Sequence, residues 1–355
     1  MDAGEVRRPS HTPTVAEIGE FAVIDRFTRG RMQSAHTVLG PGDDAAIVAA
    51  PDARVVVTTD MLVEQRHFRL DWSSPVDVGR KAIAQNGADI AAMGARCTGF
   101  LVALGCPADT PIDVTDGLNE GLWQEATRAG ASIVGGDLVQ TEAVVVSITA
   151  LGDLEGRSAV LRSGARPGDV VAVSGVLGRS AAGLAVLEAG VSGHRGLIDA
   201  HRVPTPDYEQ GPLAARAGAT SLTDVSDGLL ADLGHIAQAS AVSIDVIGSA
   251  MIVADEIICA ADEVGGSALS WVLTGGEDHA LAGTFPPDVI LPDGWIAVGR
   301  VLDAVARSTV TVDGDLFDGA AGWSSFSRGG SSAPPREGSR SSGAVHDNDD
   351  SEGST

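Results

Sequence analysis

The chain has 355 residues, 48 of them acidic and 24 basic, for a formal net charge of −24. Sequence-independent binding to nucleic-acid phosphates or anionic lipid rests on Lys and Arg, so this balance argues against DNA, RNA and membrane-surface partners. Lys81 is the only lysine and no G-x-x-x-x-G-K-[ST] pattern occurs, which excludes a Walker-type phosphate loop. The length predicts roughly two domains. No apolar run reaches the ~18–20 residues that span a bilayer, and the expected compartment is the cytoplasm. Cys97, Cys106 and Cys259 lack any C-x-x-C spacing and are expected to be buried thiols.

In chain order, residues 1–13 are polar and predict a loose arm. Thr14 to Glu17 reads as a capping box, opening a helix with Ile18, Phe21, Ala22 and Phe27 on its inner side. Short β-rich runs follow at 46–48 and 55–59, the second ending at Asp60. Ser74-Pro75 caps a helix predicted to reach Met93. A strand at 100–104, a helix from Thr115 to about Ala129, a strand stopping at Gly135-Gly136-Asp137 and a strand at 144–150 complete this half. The Gly/Arg/Pro-rich segment 162–169 marks the junction, giving domains at 14–160 and 161–327. The second half predicts strands at 170–173, 243–246, 281–285 and 296–298, and helices at 180–189 and 228–239, the second preceded by the segment Ser221-Leu-Thr-Asp224. A hairpin is predicted over 310–317 with an Asp313-Gly314 turn. Residues 328–355 are Ser/Gly/Asp-rich and predict a disordered tail.

Acidic islands stand out: Gly42-Asp43-Asp44, Thr58-Thr59-Asp60, Asp89, Gly135-Gly136-Asp137 and Asp224-Val-Ser-Asp227-Gly228. Most follow an apolar run, and strand ends in α/β sheets line a shared crevice, so these acids are expected to converge. Carboxylates that face one another require bound cations, and oxygen-only ligands suit Mg²⁺. Asp beside Gly is also an ordinary turn former or helix cap, so the weight lies in their number. Gly275-Gly276-Glu277-Asp278 is a further segment of this type. His67, Arg162 and Trp323 have bland readings singly, as a loop histidine, a surface arginine and a core anchor.

In this order the islands, with Asn86-Gly-Ala-Asp-Ile-Ala-Ala-Met-Gly94 and Arg162 to Asp169, resemble the thiamine-monophosphate kinase family over residues 15–326. The resemblance implies a mixed α/β (α+β), two-domain PurM-like fold. Its N-terminal mixed-sheet domain would dimerise, beside a C-terminal α/β domain. It implies that Asp43, Thr58, Thr59, Asp60, Asp89, Asp137, Asp224 and Asp227 hold several Mg²⁺ ions, with Asp43, Asp60, Asp89 and Asp224 at the reacting phosphates. Gly136, Asp137, Arg162 and Ser226 would contact ATP, and His67, Glu277 and Trp323 would contact thiamine monophosphate. The reaction implied is transfer of the ATP γ-phosphoryl to thiamine monophosphate. Three positions depart from the family pattern: Leu138 replaces Thr, Asn119 an aromatic residue and His279 a Tyr. The alternatives are another ATP-dependent synthetase of the same superfamily and a non-catalytic nucleotide and metal sensor.

Overall fold

Thr14 starts the first helix as its capping box predicts: its hydroxyl accepts from the Glu17 N–H, and Glu17 reaches back to the Thr14 N–H at 2.9 Å. The computed structural model describes residues 12–41, 45–304 and 307–322; the predicted tail, most of the arm, Asp43, Asp44 and Trp323 lie outside them. Gly19, at φ +86, breaks the helix into α1 (Val15–Ile18) and α2 (Glu20–Thr28). The break rotates the inner face onto Val23, Ile24 and Phe27, so Phe21 and Ala22 are exposed, contrary to the sequence expectation.

The chain continues through β1 (Thr37–Leu39), β2 (Ile47–Val48), β3 (Val56–Val63), α3 (Pro75–Ala92), β4 (Arg96–Cys106), α4 (Ile112–Arg128), β5 (Ile133–Gln140) and β6 (Val145–Asp153). The second half holds β7 (Val170–Ser174), α5 (Arg179–Ala189), α6 (Arg195–Arg202), α7 (Gln210–Ala217), β8 (Ser221–Asp224) and α8 (Leu229–Ser240). It ends with β9 (Val242–Val246), α9 (Asp255–Val264), α10 (Ala268–Thr274), β10 (Leu281–Phe285), β11 (Trp295–Asp303), β12 (Val310–Val312) and β13 (Asp315–Leu316). The Asp313-Gly314 turn forms as predicted, with both residues at positive φ. Two expectations are corrected: β3 and β5 run on past Asp60 and Asp137, which are therefore mid-strand residues.

The first half builds a four-stranded sheet in the order β3-β6-β4-β5, antiparallel except for β4 and β5. One face packs Leu62, Val102, Leu104 and Ile148 onto α3 and α4. The alternation of strand side chains puts Val57, Met61, Leu101 and Val139 on the other face, 38–59% exposed. The second half forms a seven-stranded sheet, β13-β12-β9-β11-β7-β10-β8, parallel only between β9 and β12, with its own core around Val171, Leu229, Leu233 and Ile244.

Helix α3 belongs to both halves. Ser74 and Asp77 cap it reciprocally, and Pro75 occupies its first turn. Its Ala91 and Ala92 share a third apolar cluster with Leu222, Leu281, Phe285 and Trp295 from the second sheet. Buried Glu125 of α4 accepts from Arg80 of α3 at 3.1 Å, from Arg128 at 2.6 Å and from the Tyr208 hydroxyl at 2.8 Å, so its charge is fully partnered. Cys97 and Cys106 are buried as expected, but Cys259 is exposed on α9. Among the described residues no single helix is long and apolar enough to cross a bilayer.

The α3–α4 contact depends on glycine: a Cβ on Gly121 would sit 2.0 Å from the Val76 carbonyl oxygen, and one on Gly79 would sit 2.2 Å from that of Leu118. Gly121→Ala is predicted to force the helices apart and cost ~1–3 kcal/mol, read as a lower midpoint in urea unfolding.

Candidate active site

Three segments of the first half meet one crevice. Asp60 projects from β3 on the face toward α3, and its N–H donates to Asn86 Oδ1 at 3.0 Å. Asn86, fully buried, donates in turn to the Ala82 carbonyl at 2.9 Å, which fixes its amide on α3. Asp89, one turn further along that helix, accepts from the Thr58 hydroxyl at 2.8 Å. The loop after β3 supplies His67, whose Nδ1 accepts from the Val63 N–H at 3.0 Å, leaving its ring proton to Nε2.

Two loops of the second half close against it. The first, at 224–228, leaves the end of β8; the second, at 275–279, enters β10. Their backbones touch: the Glu277 N–H donates to the Ser226 carbonyl at 2.8 Å, and the His279 N–H to that of Val225 at 3.0 Å. Gly276 and Gly228 permit this approach, since a Cβ on Gly276 would lie 2.4 Å from the Ser226 carbonyl oxygen and one on Gly228 2.5 Å from that of Thr274, at the end of α10. Glu277 and His279 themselves hold left-handed conformations, φ +65 and +52, which only well-anchored loops keep. Asp278 accepts from the N–H groups of Gly178 and Ser180 at 2.6 and 2.9 Å, tying the loop to the start of α5. Asp232 likewise accepts from the N–H groups of Ser226, Asp227 and Gly228 at 3.0–3.1 Å, and so shapes the other loop.

The electrostatics follow from this crowding. Burial, then the charges of Asp224 and Asp60, push Asp89 up to about 7, despite the Thr58 hydrogen bond. Burial also raises Asp60, with Asp224 and Asp227 adding to it and His279 and His67 opposing; Asp227 is raised by burial and Asp224, with His235, Arg162 and His279 opposing. His279 is buried with Nδ1 3.0 Å from Asp224 Oδ2. Burial would lower it, but Asp224, Glu277 and Asp89 hold it above its ordinary value. Asp60, Asp89, Asp224, Asp227 and the Thr58 hydroxyl are hard oxygen donors with more negative charge than one histidine offsets. They fit a hard divalent cation. Among the described residues, the group whose ligand atoms lie within 4.8 Å of one another is Asp227, Asp232 and His235.

Not every residue singled out in the sequence joins this crevice. Strand register puts Thr59 and Asp137 on the opposite sheet face, beside Met61 and Leu101, and the Thr59 hydroxyl is spent on the Ile148 carbonyl at 2.9 Å. The mid-strand position of both residues is the reason: alternation sends Asp60 inward and its neighbour outward. Gly136 has a packing reason to be glycine, since a Cβ there would lie 2.0 Å from the Val102 carbonyl oxygen. Arg162, in a short 3₁₀ turn, acts electrostatically on Asp227. Glu277 lies beside His67 and accepts from Lys81 at 3.0 Å; burial works upward, but Lys81 and His201 bring it down to about 2. Leu138 and Asn119 are buried. Sequence reasoning assigned no role to Lys81, His201, Asp232, Asp278 or His279. Asp278 lay within the Gly275–Asp278 segment, and a lone lysine in so acidic a chain was a signal.

Residues 42–154 match the family described as AIR synthase related protein, N-terminal domain. The thiamine-monophosphate kinase of Mycobacterium tuberculosis is 56% identical over 318 residues, covering 89% of this chain and 94% of that protein. Among solved structures, thiamine monophosphate kinase from Aquifex aeolicus aligns with TM-score 0.70 at 31% identity, over 76% of this chain and 91% of that one. A structure of AaThiL complexed with AMPPCP and TMP also gives 0.70, at 30% identity over 88% and 99%. The class defined by fold and site is thus the two-domain, AIR synthase-related one, mixed in its helices and sheets. Within it, this chain belongs to the thiamine-monophosphate kinase family.

A carboxyl raised in the folded state contributes stability that is fully present below its ordinary value, 3.8 for Asp89, and is lost as pH rises through about 7. In chelator-treated protein, Asp89→Asn should therefore raise the thermal midpoint at pH 8 and do so progressively less as the pH falls toward 5. A pH series of melting curves checks this.

Proposed function

We propose that this protein transfers the γ-phosphoryl group of ATP to the phosphate of thiamine monophosphate, giving thiamine diphosphate and ADP, with Mg²⁺ in the crevice. The observation that carries the reading is the gathering of Asp60, Asp89, Asp224 and Asp227 from separate segments around His279, in a chain 56% identical to a relative of that name.

An oxygen of the acceptor phosphate attacks the γ-phosphorus, the bond from that phosphorus to the β–γ bridging oxygen breaks, and ADP leaves. The attacking oxygen is already anionic near neutral pH, so no side chain has to remove a proton, and the protein's work is positioning and charge balance. Thr58, Asp60, Asp89, Asp224 and Asp227 would hold Mg²⁺; Asp43, outside the described residues, remains a proposed further ligand. Held by these residues, Mg²⁺ would supply charge neutralisation at the phosphate oxygens. Asn86 fixes the backbone at Asp60, and His279 orients Asp224. Ser226 and Arg162, next to Asp227, face the ATP phosphates, with Gly136 contacting nucleotide from strand β5. His67 and Glu277 hold thiamine monophosphate, and Trp323 adds a flat face to its cationic ring.

The working unit in this reading is a homodimer. Val57, Met61, Leu101 and Val139 form an apolar sheet face that a second copy covers with the same surface, as a two-fold interface requires. The domains divide at 14–160 and 161–327, supported by the separate cores of the two sheets. ATP as donor supports the cytoplasm as the enzyme's compartment.

Incubation with ATP, Mg²⁺ and thiamine monophosphate should yield thiamine diphosphate, and chelation should abolish it; absence of product from folded protein would overturn the assignment. Asp60→Asn should lower kcat/KM by at least ~100-fold, beyond the effect typical of residues that only support a metal ligand. Leu101→Arg should convert dimer to monomer in sedimentation velocity; an unchanged dimer would place the interface elsewhere.

A further inference from the structure

Lys81 is 2% exposed, and its ammonium group meets three acceptors from three parts of the chain. These are the His67 carbonyl at 3.3 Å, the His201 carbonyl at 3.4 Å and Glu277 Oε2 at 3.0 Å. An ammonium has three N–H donors and no acceptor, so this set uses all of them. His67 belongs to the loop after β3, His201 to the last turn of α6, and Glu277 to the left-handed loop before β10. His201 reinforces the arrangement: its Nδ1 lies 3.1 Å from the Ser180 hydroxyl and 3.6 Å from Glu277 Oε2.

From this geometry we propose that Lys81 is a positioning residue for the acceptor-substrate site, holding His67 and Glu277 at a fixed separation across the two halves of the fold. The inference rests on the reading above that those two residues contact thiamine monophosphate. Lys81 has no donor left for a ligand, so it acts through the residues it holds. A purely structural lysine would be expected to tie neighbours within one core. This one joins the α3 helix to a loop and a helix of the other half, and two of its three partners are proposed substrate contacts.

The scarcity of lysine makes a direct test available. Protein labelled with ¹⁵N-lysine contains a single side-chain ammonium, and burial slows its exchange with water, so its resonance reports on Lys81 alone. Saturating thiamine monophosphate, without ATP, should shift that resonance clearly, and the non-hydrolysable ATP analogue AMPPCP should shift it several-fold less. Kinetics give an independent readout: Lys81→Met should raise KM for thiamine monophosphate at least ten-fold while moving KM for ATP less than three-fold, and Lys81→Arg should recover part of the loss. A resonance unmoved by saturating thiamine monophosphate would overturn the inference, as would a rise of both KM values by the same factor. Should Lys81→Met fail to fold, the resonance decides alone. Wild-type turnover of thiamine monophosphate is measured first, so that failure of the functional reading is distinguished from failure of the role assigned to Lys81.

Discussion

Carboxylates drawn into one desolvated crevice repel one another, and the structure around them is arranged to bear that repulsion. Asp89 carries its mark most plainly, held near neutrality by burial and by Asp224 and Asp60. His279 is inserted among the acids and hydrogen-bonded to Asp224. Everything else braces the cluster. Asn86 fixes the backbone at Asp60, Asp232 gathers three consecutive N–H groups beneath the 224–228 loop, and Asp278 anchors the facing loop to α5. A cluster that repels itself persists only where its supports are stiffer than the repulsion, which explains why two loops in contact through glycine carry half of it.

The second organising element is α3. It is buried along most of its length, packs on the first sheet and α4 with one side, and reaches the second sheet with Ala91 and Ala92. Its small residues set these distances: Gly79 faces α4, Gly87 faces the Tyr208 ring, and Ala91 meets Gly211 of α7. Lys81, Asn86 and Asp89 all project from this one rigid rod. The placement of Asp89, and of Asp60 through Asn86, therefore depends on helix packing, and changes far from the crevice, such as at Gly121, bear on it through α3.

Much of this was legible in the sequence, and the exceptions have physical causes. The caps at Thr14 and Ser74 and the turn at Asp313-Gly314 were read correctly because each is a local contest settled by a few neighbouring atoms. The acids of the crevice were legible as islands, but not their orientation. Thr59 and Asp137 were grouped with Asp60 because the strands were expected to stop there; once a strand continues, alternation decides which side chain enters the crevice, and that depends on register with distant strands. The inward face of α2 was misjudged for a similar reason, since one glycine rotated it. Lys81 and His279 could not be assigned from sequence because their partners lie far away along the chain: Glu277 is 196 residues beyond Lys81, and Asp224 is 55 before His279.

The single lysine has a consequence for how the protein meets reagents and modifying enzymes. Its ammonium is enclosed, so the outer surface presents no lysine amine. Acylating cross-linkers, acetyl donors and ubiquitin-type conjugation, all of which seek such an amine, find no lysine there. Surface positive charge comes instead from arginine, whose charge persists across the whole accessible pH range, so the molecule's charge on the alkaline side is unusually insensitive to pH.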